Sequence, residues 1–195
     1  MMSAVEASPR TRPILEATVR LIGRNGVGAV THRAVAHEAA VSTGAIAHHF
    51  ASRDALVEAT LLYMGRCEVD ALERLALALQ ASAFDTSQWV DDLAATLATR
   101  VEHDRTGQIA VYELLIESAR SERIRAVMEE WNAAFLRLAE LGFRARQSSD
   151  PELHGRILVA TVTGAMLKQL AYPAGRFEDE VLRPLLRELV TRLIA

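Results

Sequence analysis

Apolar residues recur at spacings of three and four positions along nearly the whole chain, which is the spacing of one face of an α-helix. The period-2 alternation that marks a half-buried β-strand is nearly absent. Helix-breaking residues are also scarce, because the 195 residues include only ten Gly and five Pro. These features predict an all-α protein, and a chain of this length can bury a substantial core.

Charge is distributed unevenly along the chain. The whole sequence carries a net charge of −3, which argues against a nucleic-acid binder coated all over with basic groups. Residues 1–55 nevertheless hold six Arg against four acidic side chains, whereas residues 56–195 hold 16 basic and 21 acidic ones. A local positive surface is therefore expected in the N-terminal part, because net charge conceals how charge is distributed.

The expected location of the protein is the cytoplasm, without membrane association. Cys67 is the single cysteine, so no internal disulfide can form and nothing points to an oxidising compartment. The first twelve residues are polar and lack the apolar stretch of a secretory signal. The uncharged run at 157–167 has eleven residues, which is too short to cross a bilayer.

Capping signals divide the chain into successive predicted helices. Hydroxyl side chains at positions 31, 42 and 52 cap the second, third and fourth helices, and Asp150 followed by Pro151 starts the eighth. Pro184 either kinks the last helix or marks its first turn. The predicted ranges are 13–25, 32–39, 43–49, 53–79, 87–103, 107–119, 121–146, 151–172 and 178–194.

Residues 31–50 read THRAVAHEAAVSTGAIAHHF. A capped helix, a tight turn at 39–41 and a second capped helix are typical of a helix-turn-helix, whose second helix lies in the major groove of DNA. The alternative is an ordinary helical hairpin with solvent-facing histidines. We predict a three-helix head in residues 1–51 and a larger helical bundle in residues 52–195, joined by a continuous fourth helix. The side chains expected to hold the two helices together are Val35, Ala36, Val41, Ile46 and Phe50.

The segment from Ile14 to Leu56 resembles the tetracycline-repressor (TetR) family of bacterial regulators. It has the apolar first helix, the Thr cap, the V-A pair, the V-S-x-G turn and the closing H-F-x-S-R-x-x-L in register. Two positions depart from the family pattern: Ala40 stands where Gly is usual, and Ala47 where Tyr is usual. Ala40 is expected to carry a cost, because that turn position favours a positive φ.

The resemblance implies a palindromic DNA operator as partner, bound by a homodimer and released by a small-molecule effector. It implies base contacts by Thr43, Ala45 and His48, and phosphate contacts by Ser42, His49 and Arg53. The full set of implied DNA-contact residues is Thr31, Arg33, Ser42, Thr43, Gly44, Ala45, Ala47, His48, His49 and Arg53.

The last two helices are the expected dimer interface, also by resemblance. The helix from Pro151 is apolar all round near its centre, so it must be covered on every side. The alternative is a monomer whose own core covers this helix. The residues expected at the interface are Ile157, Ala160, Thr161, Gly164, Lys168, Leu182, Leu186, Leu189 and Leu193.

A mainly apolar ligand pocket is expected in the body, because the family has effector domains there and pockets combine apolar walls with a few polar groups. For each single residue the competing interpretation is an ordinary core or surface position. Glu113, for example, lies four residues before Glu117, and the two form a solvated face if Glu117 pairs with Arg120. The expected pocket residues are Tyr63, Trp89, His103, Tyr112, Glu113, Met128, Trp131, Phe135, Met166 and Gln169.

Two other classes of function compete with a DNA-binding repressor. One is a small all-α enzyme, and the other is a helical protein-interaction module that binds a partner through residues 157–193. No catalytic motif, metal site or cofactor is predicted. His32 and His37 are five positions apart rather than four, and the glycines at 23, 26 and 28 form no dinucleotide or phosphate-binding motif.

Overall fold

The computed structural model of the chain describes residues 8–81 and 85–194. Within these residues all regular secondary structure is helical, which confirms the all-α prediction. Each helix lies close to its predicted range. The helices are α1 Arg12–Asn25, α2 His32–Glu38, α3 Thr43–His49, α4 Arg53–Ala81, α5 Thr86–His103, α6 Arg105–Ser118, α7 Glu122–Ala145, α8 Pro151–Ala171 and α9 Arg183–Ile194.

The predicted helix caps are confirmed. The side chains of Thr31, Ser42, Ser52 and Asp150 each accept a hydrogen bond from the backbone amide three residues later, at 3.0–3.1 Å. Each bond satisfies an amide that has no partner inside its own helix. Gly26 ends α1 with a φ of 76°, a conformation that glycine adopts without steric cost.

The last predicted helix is divided in two. A π-helical turn at Phe177–Leu182 precedes α9. Pro184 is the second residue of α9, where a missing amide hydrogen costs nothing. Because Pro184 cannot donate to the carbonyl four residues earlier, a regular α-helix cannot continue through this point. Pro184 was predicted either to kink the last helix or to mark its first turn. The structure shows that it lies in the first turn of α9.

The chain forms two compact units whose boundaries differ from the predicted domains. The first unit combines the residues up to 68 with residues 106–129, and the second combines 69–105 with 130–195. Helix α6 and the start of α7 thus pack with the head. The boundary predicted at residues 51 and 52 does not coincide with the limits of these units, and it stays a prediction.

In the first unit, α1 packs on α2 and α2 packs on α3 around the buried side chains of Ile22, Val35 and Ile46. Helix α1 also meets the first turn of α6 with almost no space between the two backbones. A Cβ atom on Gly23 would lie 2.0 Å from the carbonyl oxygen of Thr106. Only glycine, which has no Cβ atom, therefore fits at position 23.

In the second unit, α5, α8 and α9 pack against one another. Trp89 of α5 packs edge-on against Phe143, with ring centroids 5.9 Å apart. Asp91 fastens α5 to α9, because it accepts hydrogen bonds from Arg187 at 2.7–3.0 Å and lies 3.1 Å from Arg183. The hydrogen bonds from Arg187 hold the pKa of the Asp91 carboxyl below its ordinary value.

The turn between α2 and α3 keeps the backbone that the family's glycine would adopt. Ala40 has a φ of 54°. The Val41 amide bonds the Ala36 carbonyl at 3.0 Å, and the Ala40 amide bonds the His37 carbonyl at 3.3 Å. This pair of bonds is the usual way in which a left-handed residue closes a helix. The turn has therefore not adjusted to relieve the alanine side chain.

Replacing Ala40 with glycine is expected to stabilise the protein by about 1 kcal/mol, because only glycine takes this φ without a Cβ clash. Urea unfolding followed by circular dichroism measures the change. Ala39, with a φ of −87°, is the matched control, and its replacement by glycine should not stabilise. A gain at Ala39, or none at Ala40, would contradict the assignment of strain to this turn.

Candidate nucleic-acid interface

Helix α3 is anchored by one side and exposed on the other. Ile46 is fully buried, and Phe50, directly after the helix, is 8% exposed. With the buried Val35 and Ala36 they confirm four of the five residues predicted to hold the two helices together. The prediction is wrong for Val41, because this residue is 38% exposed. It directly follows the left-handed residue, where the chain turns away from the core.

The exposed side of α3 contains the residues predicted to contact DNA. Thr43, Gly44, Ala47, His48 and His49 are exposed, and Ser42 and the half-buried Ala45 belong to the same turns. The rings of His48 and His49 lie edge to face, with centroids 5.0 Å apart. The structure thus brings the seven predicted residues from Ser42 to His49 together on one short helix and its cap. Their contacts with DNA stay a prediction.

Thr31 and Arg33 lie beside a groove between α1 and α2. The groove has a volume of about 440 Å³ and is also lined by His37, which the sequence analysis considered only as a possible metal ligand. Arg33 and His37 are one helical turn apart, so a search for basic pairs at i, i+4 spacing on α2 would have found them. Both side chains are exposed and can donate hydrogen bonds, as a surface that contacts phosphate requires.

Arg53 has a structural role that the sequence did not indicate. Its guanidinium donates hydrogen bonds to the carbonyls of Val30 at 2.9 Å and Val27 at 2.8 Å, and to the Asp54 carboxylate at 3.0 Å. These bonds fasten the loop after α1 to the start of α4. A phosphate contact by Arg53 would therefore share a guanidinium that already holds this loop.

Helix α2 is fixed on α1 by an ion-pair cluster. Glu38 accepts a hydrogen bond from Arg20 at 2.9 Å and lies 2.5 Å from a nitrogen of Arg24. The hydrogen bonds from Arg20 and then Arg24 lower the pKa of the Glu38 carboxyl below its ordinary value of 4.5. No short-range pattern indicates these pairs, because Glu38 is separated from its partners by more than three helical turns of sequence.

The Glu38 cluster is expected to contribute stability that depends on pH. A carboxylate whose pKa is lowered by folding stabilises the protein above its ordinary pKa, and this contribution is lost as the pH falls through the lowered value. Glu38→Gln should therefore cost about 0.5–1 kcal/mol at pH 7, typical of exposed ion pairs, and much less at pH 3. Urea unfolding at both pH values tests this, with Glu129→Gln at an exposed position of α7 as control. An equal loss at both pH values would contradict it.

The ten residues predicted to line a ligand pocket are divided between the two units, with Tyr63, Tyr112, Glu113 and Met128 in the first. Tyr63 lies at the contact of α4 with α1, where its hydroxyl donates to Glu16 at 3.3 Å. Burial, with smaller contributions from Cys67 and Glu16, raises the pKa of Tyr63 to about 12. The residues in the second unit are Trp89, His103, Trp131, Phe135, Met166 and Gln169.

The structure shows the surroundings of three of the predicted pocket residues, whose contact with a ligand stays a prediction. Trp89 is a core residue that fills the space above Gly142, and His103 is exposed at the end of α5. Gln169 is 7% exposed, but its amide is used within the chain, since it donates to the Ala174 carbonyl at 3.0 Å and accepts from the Ala174 amide at 2.9 Å. The spacing of residues in the sequence cannot distinguish a side chain that bonds a loop backbone in this way from a polar group in a pocket.

Trp131 has a buried polar atom that the described residues leave without a partner. Its indole Nε1 is buried and has no hydrogen-bond partner among the described residues. Its ring lies 6.0 Å from that of Phe135, one turn later on α7. The predicted pairing of Glu117 with Arg120 is present at 3.3 Å, which favours the surface interpretation of that face of α6.

The predicted dimer interface is partly exposed and partly buried. Ala160, Gly164 and Lys168 of α8 are exposed, and Ile157, Thr161, Leu189 and Leu193 are half-buried. Two of the predicted interface residues, Leu182 and Leu186, are fully buried in their own unit. With Val190 they lie at i, i+4 spacing and form the inward stripe of this segment. Other exposed apolar residues of these segments are Leu153, Leu167, Tyr172, Val181 and Leu185.

Within the described parts of the chain, no three His, Cys, Asp or Glu side chains gather as metal ligands. Among the helices of 8–81 and 85–194, none combines the length and apolar character needed to cross a membrane.

Comparison with known proteins places these features in a family. Residues 14–60 match the bacterial regulatory proteins of the tetR family, and residues 85–195 match the tetracyclin repressor-like C-terminal domain. The HTH-type transcriptional regulator UidR of Escherichia coli strain K12 is 26% identical over 171 residues, which cover 86% of this chain and 80% of the relative.

Two solved structures show the same fold over nearly the full length. A TetR family member from Streptomyces coelicolor A3 is 30% identical, with a TM-score of 0.68 over 96% of this chain and 99% of that one. The multidrug binding protein EbrR in complex with proflavin is 31% identical, with a TM-score of 0.58 over 92% and 99%. The resemblance seen in the sequence is confirmed, and the chain belongs to the TetR family of bacterial transcriptional regulators.

Proposed function

We propose that this regulator is a repressor that binds a palindromic operator as a homodimer and leaves it when a small molecule binds the C-terminal helical domain. The observation that carries the proposal is the exposed side of α3, held by the Ser42 cap and the buried Ile46 within the segment that matches the tetR family. A short helix fixed in this way can enter the major groove.

The DNA contacts follow from the side chains that this surface offers. Thr43, Ala45 and His48 face base edges, and Ser42 and His49 face phosphates. Phosphate contacts set affinity and register, whereas base contacts set sequence preference. Arg33, beside the α1–α2 groove, adds a cationic contact to the backbone.

The homodimer is supported by the apolar surface of α8 and α9. Leu153, Leu167 and Leu185 are 37–49% exposed, and the space around Gly164 is open within 4 Å of an added Cβ. Small and apolar residues of this kind suit close packing against the same helices of a second copy. A two-fold dimer presents two copies of α3 to the two half-sites of a palindrome.

The effector is proposed to be a largely apolar small molecule. EbrR, at about 30% identity, is described as a multidrug binding protein and has been solved with proflavin and with ethidium. In this chain, Trp131 offers an indole donor that has no hydrogen-bond partner among the described residues, next to the aromatic ring of Phe135. The ligand releases DNA only by its differential affinity for the two states, and a coupling of 1–3 kcal/mol would change operator affinity by about 5–150-fold.

No catalytic step or cofactor is assigned, and the cytoplasm is the proposed location, since the operator must be reachable. Selection from random duplex DNA over several rounds tests the proposal. Enrichment of an inverted repeat is the expected result. Thr43→Ala should then change the preferred sequence, whereas loss of a phosphate contact weakens all duplexes alike. Retention without sequence preference, before and after refolding to remove any bound ligand, would contradict it.

A further inference from the structure

We infer that α3 recognises thymine by its C5 methyl group, and that Gly44 sets how closely the helix approaches the bases, an inference that rests on the proposed function. Two independent features of α3 lead to it. One is the chemistry of the side chains that the helix exposes. The other is a glycine that the described residues of the chain do not themselves require.

The first feature is the composition of the exposed side. Ile46 points into the core, so at 100° per residue the opposite side of α3 carries Gly44 and His48 at its centre. Ala47 and then Thr43 lie on one flank of this pair, and all four residues are exposed. Gly44 is therefore among the outermost residues of the helix.

The chemistry of this side matches one base better than the others. Guanine is read mainly by Arg or Lys, adenine by Asn or Gln, and cytosine by Asp or Glu. None of these residue types occurs in the sequence of α3, TGAIAHH. The methyl groups that α3 offers instead are those of Thr43 and Ala47, which are exposed, and that of Ala45, which is half-buried. Thymine offers the one methyl group in the major groove, so apolar contact favours thymine.

The second feature is the glycine itself. Glycine weakens a helix relative to alanine, so its presence in α3 calls for a reason. An added Cβ on Gly44 would have Ser42 Oγ as its neighbour at 3.8 Å, an ordinary van der Waals distance, and Gly44 does not have a positive φ. Neither crowding nor backbone conformation within the described residues requires it. Close approach of an external surface to the backbone of α3 does require a glycine at this position.

Uracil substitution tests the methyl contact directly, because uracil differs from thymine only in lacking the C5 methyl group. The probe is the operator recovered by selection, with each thymine replaced singly by uracil. At one or two positions in each half-site, affinity should fall about fourfold, the factor for one buried methyl-sized group. The Ala47→Gly variant should be insensitive at the position that Ala47 contacts. Thymines outside the half-sites are the control.

Gly44→Ala tests the close approach with two measurements of opposite sign. The urea midpoint should rise, because alanine favours a helix with room for its Cβ. Operator affinity should nevertheless fall about tenfold, because the methyl group intrudes on the contact with DNA. Gly28→Ala is the matched control, at an exposed glycine of the same unit with open space around it, and should leave operator affinity unchanged.

The outcomes separate this inference from the proposed function. An operator that is recovered but insensitive to uracil throughout overturns the methyl contact and leaves the repressor standing. Sensitivity to 7-deazaguanine without sensitivity to uracil overturns it in favour of guanine recognition by His48. Undiminished binding by Gly44→Ala overturns the close approach. If no operator is recovered at all, both the inference and the proposed function fail.

Discussion

Replacing Gly164 with glutamate is expected to turn the proposed dimer into a folded monomer that no longer holds its operator. Gly164 lies on the exposed side of α8, and an added Cβ meets no atom within 4 Å, so the isolated chain accommodates the larger residue. In the dimer the same carboxylate would be buried near its own symmetry mate, which is costly for two unpaired charges of like sign.

Two measurements follow the effect of Gly164→Glu. Sedimentation should show a monomer where the unaltered chain is a dimer. Operator affinity should fall at least about 100-fold, because the two heads no longer bind as one bivalent ligand. Gly175→Glu introduces the same residue at another exposed glycine with open space and should remain a dimer. If the Gly164→Glu protein stays dimeric, the interface does not include Gly164. If the unaltered chain is already a monomer, the proposed dimer is contradicted.

Replacing Gly23 with alanine is expected to destabilise the protein by about 2–3 kcal/mol. Alanine normally strengthens a helix by about 1 kcal/mol over glycine. At Gly23 its Cβ would lie 2.0 Å from the carbonyl oxygen of Thr106 and 2.7 Å from the carbonyl carbon. Both atoms belong to the backbone, so no side-chain rotation relieves the clash. Helix α1 or the start of α6 must move instead, and overpacking of this kind outweighs the gain in helix propensity.

The same substitution elsewhere provides the control for Gly23→Ala. Gly44→Ala also adds one methyl group to a helical glycine of the first unit, but its nearest neighbour, Ser42 Oγ, lies at an ordinary 3.8 Å, so it should stabilise rather than destabilise. Urea unfolding of the two variants and the parent chain compares the signs directly. Equal stability of Gly23→Ala and the parent would contradict the close contact between α1 and α6.

The parts of the fold that depend on neighbouring residues could be predicted from the sequence. The caps at Thr31, Ser42 and Ser52 were predictable because each side chain bonds an amide three positions away. The helix-turn-helix was predictable because its turn and caps lie within twenty residues. The exposure of α3 followed from the same pattern, because Ile46 and Phe50 lie on one side of the helix.

The parts that depend on packing between distant segments could not be predicted. Arg53 bonds carbonyls 23 and 26 positions earlier, and nothing in its local sequence distinguishes that role from a phosphate contact. Gln169 has the same ambiguity, since a buried amide serves a ligand and a loop equally well. The grouping of α6 with the head depends on contacts such as that of Gly23 with Thr106, which periodicity does not encode.

The left-handed turn at Ala40 has a consequence for how this protein has been selected. An alanine codon becomes a glycine codon by a change of its second base alone, so the relaxed turn is a single mutation away. Selection acts against proteins that fall below the stability their function needs and gives little reward to those above it. A chain that keeps the strained alanine is therefore stable enough for its function without this mutation. Ala40 is thus a position where one base change would add stability that selection has not required.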